Sequence, residues 1–260
     1  MTSAILTVEG VTKRFGGVVA LDRVSFAVQH GTIVGLIGPN GAGKTTLFNC
    51  ITGLFHPEEG TIRFGLKEEE LLQRCAPHEV AKLGIARTFQ NIRLFGNLSV
   101  LDNVVAGTYV RTTAGFLEAL MPWMRSSRKE EHWAVERSFR LLEGLDLGPC
   151  ANQLAKSLSY GQQRRLELAR ALACDPELLL LDEPAAGLSH QERQELMEFL
   201  KRLKSQGLTI LLIEHDMRVV MPVSDWVVVL DYGAKIAQGT PREIQEDPRV
   251  IEAYLGVKDR

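Results

Sequence analysis

The stretch "GPNGAGKTT", residues 38–46, restricts the fold of this chain more than any other feature. It satisfies the spacing G-x-x-x-x-G-K-[ST], follows the short apolar run "TIVGLIG" at 32–38, and opens the helical pattern "KTTLFNCITGL". Average residue frequencies give roughly one chance match in a hundred chains of this length, before the surrounding strand and helix are considered. The pattern is built for phosphate. Gly38, Gly41 and Gly43 have no Cβ, so the loop's backbone N–H groups can wrap a phosphate chain, with Pro39, Asn40 and Ala42 between the glycines. Lys44 then neutralises the terminal phosphates, the Thr45 hydroxyl can ligate Mg2+, and Thr46 continues the first helical turn. Strand, loop and helix in this order open an α/β fold around a parallel sheet.

Other apolar runs supply more of that sheet. "ELLLLDE" (177–183) and "TILLIEH" (209–215) are short and apolar on both faces, as central parallel strands are, and helical patterns follow them. In "HQERQELMEFLKRLKSQG", Leu196, Phe199, Leu200 and Leu203 form one apolar stripe, basic residues fill the last turn, and Gly207 is the stop. "AILTVEG" with "VVALDRVSFAV" near the start, and "DWVVVLDYGAKIAQGT" near the end, read as antiparallel. Between residues 96 and 157 the pattern is helical, with Ala134, Ser138, Leu141 and Leu145 at helical spacing. The expectation is therefore one domain over 1–260. Its core is 1–95 with 158–260, and 96–157 is an inserted helical subdomain. "KEEE" at 67–70 reads as a solvated loop or helix end.

Composition excludes several classes. The chain has 260 residues, 45% of them hydrophobic, enough for a sizeable core. Its formal net charge of -2 offers no basic field, so no nucleic-acid partner is expected. Cys50, Cys75, Cys150 and Cys174 stand far apart with no ligand spacing, and read as thiols of a reducing compartment. No signal-peptide pattern opens the chain, and its apolar stretches fall well short of the roughly 20 residues that a membrane span needs.

A phosphate loop needs a second carboxylate for magnesium and a group to handle water. Asp182, at the end of a strand, can hold Mg2+ through its waters, and Glu183, pointing to the other side of the strand, can polarise the attacking water. His215 ends the next strand at the same carboxyl edge, where open α/β sheets bind ligands. Gln90, in "RTFQNIRLF", can reach metal or water from a loop. One further stretch, "LSYGQQRRLELARAL" (158–172), opens on an N-cap, Ser159, with Gln162 completing an S-x-x-Q capping box. Gly161 costs that helix stability but leaves its mouth open to an anion.

Together these pieces resemble the nucleotide-binding domain of ABC ATPases, over essentially the whole chain. The resemblance implies a P-loop NTPase core of RecA type, with an N-terminal antiparallel β-subdomain and an inserted α-helical subdomain, using ATP and Mg2+. In that family a helix beginning LSGGQ addresses the γ-phosphate of ATP held by a second copy. Leu158, Ser159, Gly161 and Gln162 match, and Tyr160 replaces a glycine. Phe15 stands where the family stacks adenine on an aromatic, more often a tyrosine. Ser189 stands where an aspartate is common after the second carboxylate motif; followed by Glu192, it forms a capping box of its own.

Within the family, "RTFQNIRLF", "AAGL", "LLIEHDM" and "GTPREIQEDPRVIEAYLG" are similar to the LivG-type ATPase of branched-chain amino acid uptake systems. This implies a peripheral subunit on the cytoplasmic face of the bacterial inner membrane. Its partners would be transmembrane permease subunits, a second or sister ATPase and, indirectly, a periplasmic binding protein. Ile92, Leu94, Phe95 and Leu98 are the expected permease contact. Related systems take up urea or amides, or export lipopolysaccharide. A non-transport ABC ATPase of DNA repair or translation would usually show a coiled coil or two cassettes, and a P-loop kinase would not need "LSYGQ" or Glu183 beside Asp182.

Overall fold

The computed structural model describes residues 3–66, 69–110 and 125–255, so Lys67 and Glu68 of the charged run lie outside the described residues. The chain divides into two compact units, Met1–Arg87 with Glu177–Arg260, and Thr88–Pro176.

The first unit contains two sheets. Strands β1 (Ala4–Phe15), β2 (Val18–Gln29), β4 (Glu59–Phe64) and β5 (Glu70–Leu71) form an antiparallel sheet in the order β2-β1-β4-β5. Strands β3 (Ile33–Ile37), β6 (Ile85–Arg87), β7 (Leu178–Asp182), β8 (Thr209–Ile213), β9 (Trp226–Asp231) and β10 (Ala234–Gly239) form the second, in the order β10-β9-β3-β8-β7-β6. Every residue of β3, β7 and β8 is buried, which accounts for their unbroken apolar sequence. The closing hairpin is antiparallel as its alternation predicts, but it is not separate from the core. Strand β9 runs parallel to β3, Gly35 opposite Val227, and so extends the central sheet. Leu47, Phe48 and Ile51 of the helix Lys44–Ile51 join residues of both sheets in one core.

The helix His190–Ser205 starts as expected. Ser189 accepts from the Glu192 N–H, and its own N–H donates to the Glu192 carboxylate. Its most buried residues are Met197 and Leu200, so the stripe of Leu196, Phe199 and Leu203 is centred on a methionine that the sequence pattern passed over.

In the second unit the helices Val100–Thr108, Arg125–Gly144 and Tyr160–Ala173 pack together. Ala134, Ser138, Leu142 and Leu145 are buried, whereas Leu141 is only half-buried. This unit is wider than the expected 96–157 because residues 88–95 and 158–176 belong to it. Gly107 allows the close approach responsible: a Cβ there would lie 2.4 Å from the Arg170 carbonyl oxygen.

Candidate active site

The phosphate loop leaves the carboxyl end of β3. Gly43, at φ 97, is the N-cap of the helix Lys44–Ile51, and no side chain caps its first turn. This glycine is required twice over, since a Cβ would also stand 2.5 Å from the Ala20 carbonyl oxygen. At Gly38 a Cβ would meet the Leu230 carbonyl oxygen at 2.1 Å. Packing beneath the loop thus fixes two of the glycines that the sequence assigns to phosphate. Thr45 is exposed and Thr46 half-buried at the helix mouth.

Lys44 is buried, and its ammonium donates to the Gly38 and Pro39 carbonyls at 2.7 and 2.9 Å. Burial lowers its pKa, while the charges of Glu183 and Asp182 pull the other way. Both carboxylates therefore act electrostatically on the loop cation.

Asp182 ends β7 and is 2% exposed. Burial raises its pKa, opposed chiefly by Arg87, whose guanidinium donates to Asp182 Oδ2 at 2.9 Å. Arg87 was not singled out from the sequence. No short-range spacing links positions 87 and 182; only the pairing of β6 with β7 does. A buried carboxyl group, with a threonine hydroxyl on the loop helix, is a hard oxygen donor set suited to Mg2+. Among the described residues no group of three or more His, Cys, Asp and Glu forms a metal cage.

Glu183 follows Asp182 but does not continue the strand. Its φ of 49 places it in left-handed backbone, so the strand alternation expected from the sequence does not extend to this residue. The Glu183 N–H donates to the Ile213 carbonyl at 3.0 Å, and His215 Nδ1 lies 3.5 Å from Glu183 Oε1. The expected carboxylate and imidazole are brought together. Beneath them lies a second overlooked residue, Glu214, 2% exposed, which accepts from the Ala185 N–H at 3.0 Å. Burial raises its pKa. In the sequence Glu214 reads as an ordinary strand-end charge.

Phe15 is 42% exposed at the end of β1, packed edge-on against Phe55 with centroids 5.1 Å apart and with the Lys13 ammonium 5.3 Å from its ring centre. It remains accessible for stacking.

In the second unit, Ser159 caps the helix Tyr160–Ala173 and exchanges hydrogen bonds with Gln162 as its S-x-x-Q spacing predicts. Leu158 and Gly161 are buried. Tyr160 is exposed, and its hydroxyl accepts from Arg164 at 3.0 Å. Buried Arg164, also unremarked in the sequence, donates to the carbonyls of Phe89 and Gln90. Gln90 itself is exposed. Ile92 and Leu94 are half-buried, while Phe95 and Leu98 are exposed beside exposed Leu154.

A phosphate loop, a buried carboxylate and a carboxylate–imidazole pair on one sheet edge make the first unit a nucleoside-triphosphatase of the α/β class. Residues 21–186 match the family model of ABC transporters, and residues 234–260 match that of the branched-chain amino acid ATP-binding cassette transporters. The chain is similar to the high-affinity branched-chain amino acid transport ATP-binding protein BraF of Pseudomonas aeruginosa, at 44% identity over 98% of this chain and 99% of that one. LivG of Escherichia coli, with the same description, is 43% identical over 98% of this chain and 99% of its own. The solved ADP conformation of an ATP-binding cassette of an ABC transporter superposes with a TM-score of 0.83 at 33% identity, covering 98% of this chain and all of that one. The chain belongs to the ABC transporter ATP-binding family, as an ATP-hydrolysing subunit of a transport system. Among the described residues no helix is long and apolar enough to cross a membrane.

Proposed function

We propose that this chain hydrolyses Mg-ATP to drive import of branched-chain amino acids through a membrane permease, bound peripherally at the cytoplasmic face of the inner membrane. Substrate and setting rest on the similarity to BraF and LivG; the chemistry rests on the contact of Glu183 with His215 at the edge that carries Lys44 and Asp182. The loop amides of 38–46 and Lys44 hold the phosphates, and Phe15 stacks on the base. Thr45 and Asp182 would hold the magnesium ion, which would offset charge on the phosphates. Gln90 keeps the metal- or water-directed role expected from the sequence. Glu183 accepts a proton from water as its oxygen attacks the γ-phosphorus and the bond to the ADP oxygen breaks, while His215 orients that water or the γ-phosphate.

The Ser159–Gln162 helix mouth is assigned to the nucleotide of a second copy or a sister ATPase on the family resemblance: each of the two side chains accepts from the other residue's main-chain N–H, and Gly161 in the first turn puts no side chain in the mouth. Phe95 and Leu98, with Ile92 and Leu94 behind them, receive a helix of the permease. A periplasmic binding protein delivers the cargo to that permease. Glu183→Gln should lower turnover about 10²- to 10⁴-fold, or roughly 3 to 5 kcal/mol of barrier, yet retain ATP and form an ATP-dependent dimer. Adding Ser159→Arg should abolish that dimer and spare monomeric binding. Wild-type turnover in Glu183→Gln removes the base; loss of monomeric binding in the double variant removes the two-chain arrangement.

A further inference from the structure

The strongest unassigned feature is the fixation of Arg87. Its guanidinium donates to Asp182 Oδ2 at 2.9 Å, to Asn49 Oδ1 at 2.7 Å and to Thr52 Oγ1 at 3.3 Å, and lies 5.4 Å from the centre of the Phe48 ring. The side chains of Arg87 and Asp182 are 7% and 2% exposed. Asn49 and Phe48 belong to the helix that starts at Lys44, and Thr52 is its C-cap. Arg87 ends β6, opposite Leu180 of β7, two residues before Asp182. One planar cation therefore ties the end of the carboxylate strand to the helix of the phosphate loop.

We propose that Arg87 is a positioning residue for magnesium: held by Asn49, Thr52 and Phe48, it fixes the Asp182 carboxylate where the metal shell of bound nucleotide requires it. This rests on the Mg-ATP reading above. Nη1 is tied to Asn49 and Thr52, and because the guanidinium is planar this fixes the direction from which Nη2 meets Asp182 Oδ2, which a flexible lysine ammonium would not. Groups that orient a metal-directed carboxylate from behind change metal affinity by about 10- to 100-fold when removed. Glue between β6 and the loop helix is the alternative role, and it carries no dependence on the metal.

The two roles separate in a binding titration on the full chain, using a fluorescent, non-hydrolysable ATP analogue with and without Mg2+. Arg87→Gln should leave affinity for the metal-free analogue within about 2-fold of wild type, while the Mg2+ concentration giving half of the metal-dependent tightening rises about 10-fold or more. Arg87→Lys, which keeps the charge but loses the fork, should fall between. Asn49→Ala, which removes one tether and keeps the Arg87–Asp182 pair, should raise the Mg2+ midpoint about 3-fold, and it decides the matter if Arg87→Gln does not fold. Unchanged Mg2+ midpoints in Arg87→Lys and Asn49→Ala would overturn the proposal. So would a parallel loss of metal-free binding, which marks Arg87 as glue. A wild-type chain that binds the analogue equally with and without Mg2+ would instead sink the Mg-ATP reading itself, and this inference with it.

Discussion

Arg164→Met should open the second unit locally far more than Glu167→Gln, although the two residues form one ion pair. The Arg164 side chain is 6% exposed and Glu167 is 2% exposed, 3.3 Å apart. Arg164 also donates to the Phe89 carbonyl at 2.8 Å, to that of Gln90, and to the Tyr160 hydroxyl. Glu167 accepts from the backbone N–H of Arg93 at 3.3 Å and of Phe89 at 3.4 Å. Burial raises the Glu167 pKa, against the pull of those two N–H groups and of Arg164 and Arg170. Methionine strands a buried carboxylate and leaves two carbonyls without this donor, at about 3 to 5 kcal/mol. Glutamine keeps an oxygen for both N–H groups and leaves Arg164 three uncharged acceptors, so its cost is about 1 to 2 kcal/mol. Because the pair is shared, the double variant should cost about 1 to 2 kcal/mol less than the sum. Amide hydrogen exchange along Tyr160–Ala173 measures the local opening without assuming that the chain unfolds in one step. A cost for Arg164→Met no greater than for Glu167→Gln would refute the reasoning.

Glu214→Gln should raise the melting temperature, by a margin over wild type that widens as pH rises above the ordinary carboxylate range. Burial raises the Glu214 pKa, so the folded wild type holds its proton more tightly than the unfolded chain and loses stability as pH climbs through that pKa. A constant or shrinking margin contradicts this. Gly43→Ala should cost about 2 kcal/mol or more and abolish ATP binding, since φ is 97 and the added Cβ would sit 2.5 Å from the Ala20 oxygen; calorimetry and nucleotide titration check both. Phe95→Asp should fold normally, because the ring is 54% exposed, yet fail to co-purify with permease subunits. Normal assembly would place the docking surface elsewhere.

The parts of the site governed by local spacing were legible in the sequence. The loop at 38–46, the ends of β7 and β8, and the capping boxes at Ser159 and Ser189 each depend on residues a few positions apart. Arg87, Arg164 and Glu214 were not legible, since a charged residue reads as solvated until tertiary pairing buries it. Arg87 meets Asp182 across 95 positions, and Arg164 meets Phe89 across 75. The compact units divide the chain at other positions than 96–157 for a similar reason. Helical periodicity identifies the helix Tyr160–Ala173 but not its packing partner, which Gly107 and the Arg164 contacts decide. Leu141 gave way to Leu142, and Leu196 to Met197, because a stripe drawn from period alone is uncertain by one residue when both neighbours are apolar.

The left-handed backbone at Glu183 sets activity against robustness. Glycine and asparagine adopt that conformation more readily than glutamate, by roughly 1 kcal/mol, so the residue assigned to the water is a poor choice for folding at its own position. Variants that replace it with glycine or asparagine would tolerate heat slightly better and, on the role proposed for Glu183, turn over ATP at least about 10²-fold more slowly. A library of this gene screened only for thermal survival would therefore drift towards inert chains that still bind nucleotide, and selection for growth on the transported nutrient would be needed to hold the glutamate in place.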